Sequence, residues 1–209
     1  VKRGYLNMTD AHAQHALTLG PDQALQELLA GNRRFASGIG IHPHQSPYRR
    51  AEVVPDQQPF ATVIGCADSR VPPEVIFDCG LGDLFVVRTA GHVLGDMDYA
   101  SVQYVTEHLG VQLIIVVGHS DCGAVKATVS GVHAPGHLGI LIAELQPAVE
   151  AASARSGDLL HNAVIENIRR TTAHLETLKP VMADLVSTGK VKIVGAHYDL
   201  GTGLVTLVE

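Results

Sequence analysis

Tryptophan is absent from this chain, and phenylalanine and tyrosine together make up only 4% of it. So few rings leave no row of stacking platforms for single-stranded nucleic acid. Positive charge is thin as well: 15 Lys and Arg stand against 21 Asp and Glu, for a net charge of −6. A duplex-binding face needs a basic cluster, and none stands out; the doublets Arg33–Arg34 and Arg49–Arg50 read as solvated surface. No apolar run reaches the roughly 18 residues that a membrane span requires. The first 20 residues also lack the apolar core of a signal peptide. Cysteine is scarce, with Cys66, Cys79 and Cys122 widely spaced and odd in number. That pattern argues against a disulfide framework and for a reducing compartment, with cytoplasm the expected location.

What is present is apolar residue content: 46% of 209 residues, enough for one domain with a substantial core. Residues 1–19 read as a flexible N-terminal extension, with Met8 a candidate native start, and residues 20–209 as a single domain. Pro21 after Gly20 marks a helix start, and Leu25, Leu28 and Leu29 share a helical face that Phe35 continues. Residues 39–59 carry four of the ten prolines and read as an extended connection. Strand-like apolar runs follow at 60–65, 83–91 and 111–118. They alternate with a short helix within 71–80, a helix over 98–110 that buries Tyr99, Val102, Val105 and Leu109, and another beginning near 121. Helical patterns cover 140–153 and 161–187, and the end reads as two strands joined by a Gly-rich turn. Very apolar strands alternating with helices predict an α/β fold: a parallel β-sheet core flanked by helices. Binding sites in such sheets lie at the carboxyl ends of the strands.

Two stretches sit at such ends. Cys66 follows the strand FATVIG, and His119 and Cys122 follow LIIVVG. If those strands are neighbours, two thiolates and an imidazole meet at the sheet rim. This is a donor set that suits zinc and leaves a fourth position open, as catalytic zinc sites do. Cys122 also precedes a helix, whose N-terminal dipole favours thiolate. Asp68 and Arg70 lie two and four residues beyond Cys66. If Arg70 grips Asp68 as a bidentate pair, the fourth position is left to water; if Asp68 binds the metal, the site is closed. Spacing alone leaves two other readings open: an incidental grouping, or a metal-free pair of Cys66 as nucleophile and His119 as base.

The motifs C-A-D-S-R-V (66–71) and H-S-D-C-G-A (119–124), 53 residues apart, resemble the C-x-D-x-R and H-x-x-C signatures of the β-class carbonic anhydrases. LLAGNRRFASG, GDLFVVRTAGH and KVKIVGAHYDLGTG resemble further parts of that family, so the likeness spans nearly the whole chain. The resemblance implies a β-carbonic anhydrase-like fold with an N-terminal helical arm. It also implies one Zn2+ per chain on Cys66, His119 and Cys122, with Asp68 as fourth ligand only in a closed state. Asp68 and Arg70 are the implied catalytic dyad, and Gln57, Phe85, Ala90 and Tyr104 the implied substrate-binding residues. The implied reaction is reversible hydration of carbon dioxide to bicarbonate and a proton. The implied partners are CO2 and bicarbonate, with a homodimer or tetramer that completes the pocket and with neither nucleic acid nor membrane. Rivals on the same fold are hydrolysis of carbonyl sulfide or carbon disulfide and a non-catalytic zinc or bicarbonate sensor. Three departures stand out. Val63 replaces the tryptophan that some bacterial members carry in a regulatory bicarbonate site, which argues against that site despite Arg88 and Tyr198. His92 stands where many members have Asn. Cys79 matches no ligand and reads as structural.

Overall fold

The computed structural model describes residues 19–209. The expected N-terminal extension, residue 19 apart, lies outside the described residues. A five-stranded sheet has the order β2-β1-β3-β4-β5, formed by β1 (Ala61–Cys66), β2 (Leu84–Thr89), β3 (Leu113–His119), β4 (Lys192–Tyr198) and β5 (Val205–Val208). The first four strands pair in parallel, and β5 runs antiparallel to β4 at one edge. The parallel core matches expectation; the antiparallel edge follows from the short Gly-containing turn, which is too short for a crossover.

Every residue of β1 and β3 is buried. Such strands are covered on both faces, which is why they read as unbroken apolar runs. From β1 the chain moves outward to β2, whereas from β3 it moves the other way to β4. The boundary between β1 and β3 is therefore the switch point of the sheet, where a crevice opens at the strand ends.

Helices flank the sheet: α1 (Pro21–Ala36), α2 (Pro47–Glu52), α3 (Pro73–Ile76), α4 (Asp96–His108), α5 (Gly123–Val129), α6 (Gly136–Ser153), α7 (Leu159–Thr177) and α8 (Met182–Ser187). Three helical expectations are corrected. The Pro-rich connection contains α2, because Ser46 caps it through Arg49 N–H (3.1 Å) and Pro47 occupies its first turn. The expected helix over 161–187 is two helices, α7 and α8, separated around Pro180, which has no N–H to donate to a continuous helix. The expected helix at 98–110 starts earlier, where the Asp98 carboxylate accepts from Gly95 N–H at 2.9 Å, and it ends at His108, leaving Leu109 as its cap.

Two sequence details fix how helices dock. In α1, Gly31 lies so close to α3 that an added Cβ would overlap the Phe77 carbonyl. Its neighbour Asn32, 1% exposed, donates to Ile76 O and Gly203 O and accepts from Val205 N–H. One amide thus ties α1 to α3 and to the β4–β5 turn. On α7, Ile168 packs against β3 at Gly118, where an added Cβ would lie 2.7 Å from the Ile168 side chain.

Candidate metal centre

Neighbouring strands β1 and β3 deliver Cys66 and His119 to the switch point, and Cys122 sits at the N-cap of α5 three residues later. The Cys66, Cys122 and His119 ligand atoms all lie within 4.8 Å of one another, and all three residues are buried. The grouping expected from the two motifs is therefore formed. The sulfurs are 4.0 Å apart. A tetrahedral zinc with bonds of about 2.3 Å to each would hold them roughly 3.8 Å apart. His119 Nδ1 donates to Ser120 O at 2.9 Å, which fixes the tautomer and leaves a lone pair on Nε2. That Nε2 is buried and has no hydrogen-bond partner among the described residues. An orphaned acceptor beside two sulfurs is the signature of a ligand position, so the residues fit zinc.

The Cys122 S–H holds Cys66 well below the usual thiol range, aided by His119 and the N–H groups of Asp68 and Gly91, while the same bond and burial push Cys122 up. Asp68 N–H and Gly91 N–H reach Cys66 Sγ at 3.4 and 3.3 Å.

Asp68 and Arg70 form the bidentate pair. Arg70 Nε donates to Oδ1 at 2.9 Å and Nη2 to Oδ2 at 2.7 Å. The guanidinium holds the Asp68 carboxyl well below the ordinary carboxylate range. Asp68 Oδ2 lies 4.0 Å from His119 Nε2, so this carboxylate borders the ligand group. Arg70 is in turn steadied by Asp121 O at 3.3 Å.

The four expected pocket residues are less closely grouped. Ala90 adjoins the site by opening the 3-10 turn Ala90–His92, whose Gly91 touches Cys66. Phe85 lies half-buried on β2 opposite Thr62. Gln57 is exposed ahead of β1, and Tyr104 is 45% exposed on α4, its ring beside His108. Among the described residues, no hydrogen bond joins Gln57, Phe85 or Tyr104 to the ligand group. Cys79 is buried with its S–H on Phe77 O at 3.4 Å, and burial raises it to about 12, as a structural thiol requires.

Sequence reasoning missed the scaffold beneath the site. Arg88 donates to Cys66 O at 2.9 Å and Asp68 O at 2.6 Å, shaping the loop that carries both. Its signal was an arginine inside an apolar strand. Gly91 and Asn167, whose Nδ2 donates to Gly91 O at 2.9 Å, carried no comparable signal.

The carbonic anhydrase family model matches residues 61–205. A carbonic anhydrase of Mycolicibacterium smegmatis is 38% identical over 191 residues, covering 90% of this chain and 93% of that protein. Carbonic anhydrase 2 of Mycobacterium tuberculosis is 36% identical over 191 residues, with 90% and 92% covered. Among solved structures, a β-carbonic anhydrase of Coccomyxa in complex with acetazolamide superposes with a TM-score of 0.69 at 28% identity, over 88% of this chain and 86% of that one. One from the set of two tetrameric β-carbonic anhydrases of Sordaria macrospora shares the fold at a TM-score of 0.71 and 24% identity, over 88% and 96%. With the ligand geometry, these likenesses place the chain in the β class of the carbonic anhydrase family, the zinc enzymes that interconvert carbon dioxide and bicarbonate.

Proposed function

We propose that Asp68 and Arg70 direct the reversible hydration of carbon dioxide beside one zinc ion held by Cys66, His119 and Cys122. The observation that carries this reading is the Asp68 carboxylate, 4.0 Å from the orphaned His119 Nε2 and gripped on both oxygens by Arg70. Zinc, when bound, supplies the Lewis acidity that makes water nucleophilic near neutral pH. Asp68 would accept a hydrogen bond from the attacking water and turn its lone pair toward CO2. Arg70 holds the carboxylate in this accepting role. Released from Arg70, the same carboxylate would be free to turn toward the Cys66, His119 and Cys122 group and bind the metal itself.

Ala90 and Phe85 supply apolar wall for CO2. Gln57 and Tyr104, exposed in one chain, serve the pocket across a subunit boundary, with the Gln57 amide donating to the developing carboxylate oxygen. The assembly is accordingly a homodimer or a multiple of it; tetramers occur on this fold in Sordaria macrospora. Residues 20–209 act as one domain. Three free cysteines support a reducing, cytoplasmic location, and no helix among the described residues is long and apolar enough to cross a membrane.

The test is stopped-flow CO2 hydration at pH 7 and pH 8.5, with zinc determined on the same sample. One zinc per chain and higher activity at pH 8.5 are expected, because two thiolates leave zinc less electrophilic than three neutral imidazoles do. Stoichiometric zinc without hydration at either pH would overturn the catalytic assignment.

A further inference from the structure

The turn Ala90–His92 leaves β2 and passes the Cys66 sulfur, onto which Gly91 directs its N–H at 3.3 Å. Gly91 has φ 62 there, so the aim of that N–H is set by a left-handed backbone conformation. The turn is held from α7. Asn167, buried at 6% exposure, donates from Nδ2 to Gly91 O at 2.9 Å and from the same nitrogen to His92 Nε2 at 2.9 Å. Both amide hydrogens are thereby used. Because Gly91 O can only accept, the amide nitrogen must face it, and reversing the amide would lose that bond.

The second bond fixes His92 as well. Its Nε2 accepts, so its proton lies on Nδ1, which is buried and has no partner among the described residues. The ring has room because β3 carries glycine at 118, where an added Cβ would stand 3.2 Å from His92 Cε1. Position 167 is buried on α7. An amide there is costly to bury unless its bonds are made, and here both are spent on one turn.

We propose that Asn167 is a positioning residue for the metal centre. By clamping Gly91 O and His92, it keeps the Gly91 N–H on the Cys66 sulfur, and so sets the charge that this thiolate offers to zinc and the lifetime of the bound ion. The inference rests on Cys66 being a zinc ligand. Outer partners of metal ligands commonly govern affinity over about 10- to 100-fold.

The experiment follows zinc release from the loaded protein to a chromogenic chelator, together with the sulfur-to-cobalt charge-transfer band of the cobalt-substituted protein. Asn167→Ala is expected to release zinc roughly 10-fold faster and to move the band to lower energy, because a sulfur stripped of its N–H donor is more electron-rich. Asn167→Ser, which keeps one donor, falls between Asn167→Ala and wild type. Ile168→Val is the control, loosening α7 against Gly118 without touching Gly91. Wild-type release and spectrum in Asn167→Ala would overturn the proposal, and so would an equal change in Ile168→Val. Should Asn167→Ala fail to fold, the cadmium-113-loaded wild type still decides. The Gly91 amide proton must couple to the metal through sulfur, and absence of that coupling overturns the proposal. A wild-type protein that binds no zinc would overturn the metal reading itself, and this inference with it.

Discussion

Arg70 meets Asp68 fork to fork, Nε on Oδ1 at 2.9 Å and Nη2 on Oδ2 at 2.7 Å, two residues apart on one loop. Both carboxylate oxygens are thereby fixed, with Oδ2 4.0 Å from His119 Nε2, while the negative charge is kept. The pair separates two roles that substitution can resolve. Asp68→Asn keeps the shape but loses the anionic acceptor, so kcat should fall on the order of 10²-fold while zinc content stays at wild-type level. Arg70→Lys retains the charge but not the fork, and should lose activity by frequent capture of the fourth ligand position by Asp68. Parallel zinc analysis and stopped-flow hydration check both. Full activity in Asp68→Asn would remove Asp68 from the mechanism.

Chelation addresses the ligand set directly. The ligand group is buried, its His119 Nε2 makes no hydrogen bond among the described residues, and its two sulfurs lie 4.0 Å apart. Hydration should vanish and the melting temperature drop, since a ligand bound at about 1,000 times its Kd stabilises the folded state by roughly 4 kcal/mol. One equivalent of zinc per chain should restore both. His119→Ala should show the same low melting point without chelator and no response to added zinc. An unchanged melting temperature in chelated wild type would contradict a metal held by these three buried groups.

The parts of this site that the sequence disclosed are those whose chemistry resides in side chains. Cys66, His119 and Cys122 stand at the ends of strands buried on both faces, where an apolar run halts at a polar ligand. Asp68 and Arg70 were visible as opposite charges on a short loop. Arg88 and Asn167 act instead on the backbone carbonyls of residues 66, 68 and 91, and Gly91 acts through its own N–H on the Cys66 sulfur. Such contacts depend on where a loop comes to rest, which periodicity does not encode. The same limit explains α2. Four prolines between 39 and 59 read as extended chain, yet Ser46 and Pro47 together make a helix start. It also explains the overlong helix expected at 161–187, where apolar spacing ran through a break near Pro180.

Asn32 gives a stability prediction far from the chemistry. Its amide makes three hydrogen bonds, at 3.0, 2.9 and 2.8 Å, to backbone groups of Ile76, Gly203 and Val205. Asn32→Ala leaves these groups without their partner and should cost about 3 kcal/mol, at roughly 1 kcal/mol for each bond. Urea unfolding of the zinc-loaded proteins measures it. A loss below about 1 kcal/mol would mean that water replaces the amide and that the clamp between α1, α3 and the β4–β5 turn contributes little.

His92 makes the acid stability of the protein readable. Its ring is 1% exposed, and burial holds the imidazole down to about 4, against an ordinary value of about 6.5. Between those values the unfolded chain binds a proton at this position and the folded chain does not. Stability contributed by neutral His92 is therefore complete above pH 6.5 and is lost as pH falls toward 4. The loss between pH 7.5 and pH 5 comes to about 2 kcal/mol. Asn at this position accepts the positive φ of 48 that His92 adopts and has nothing to protonate. His92→Asn should thus lose about 2 kcal/mol less than wild type over the same interval, by urea unfolding with excess zinc. His197, which burial also depresses, is present in both proteins and cancels. Identical pH dependence in the two proteins would show that the folded state accommodates a charged ring at His92, against its burial and its unpartnered Nδ1.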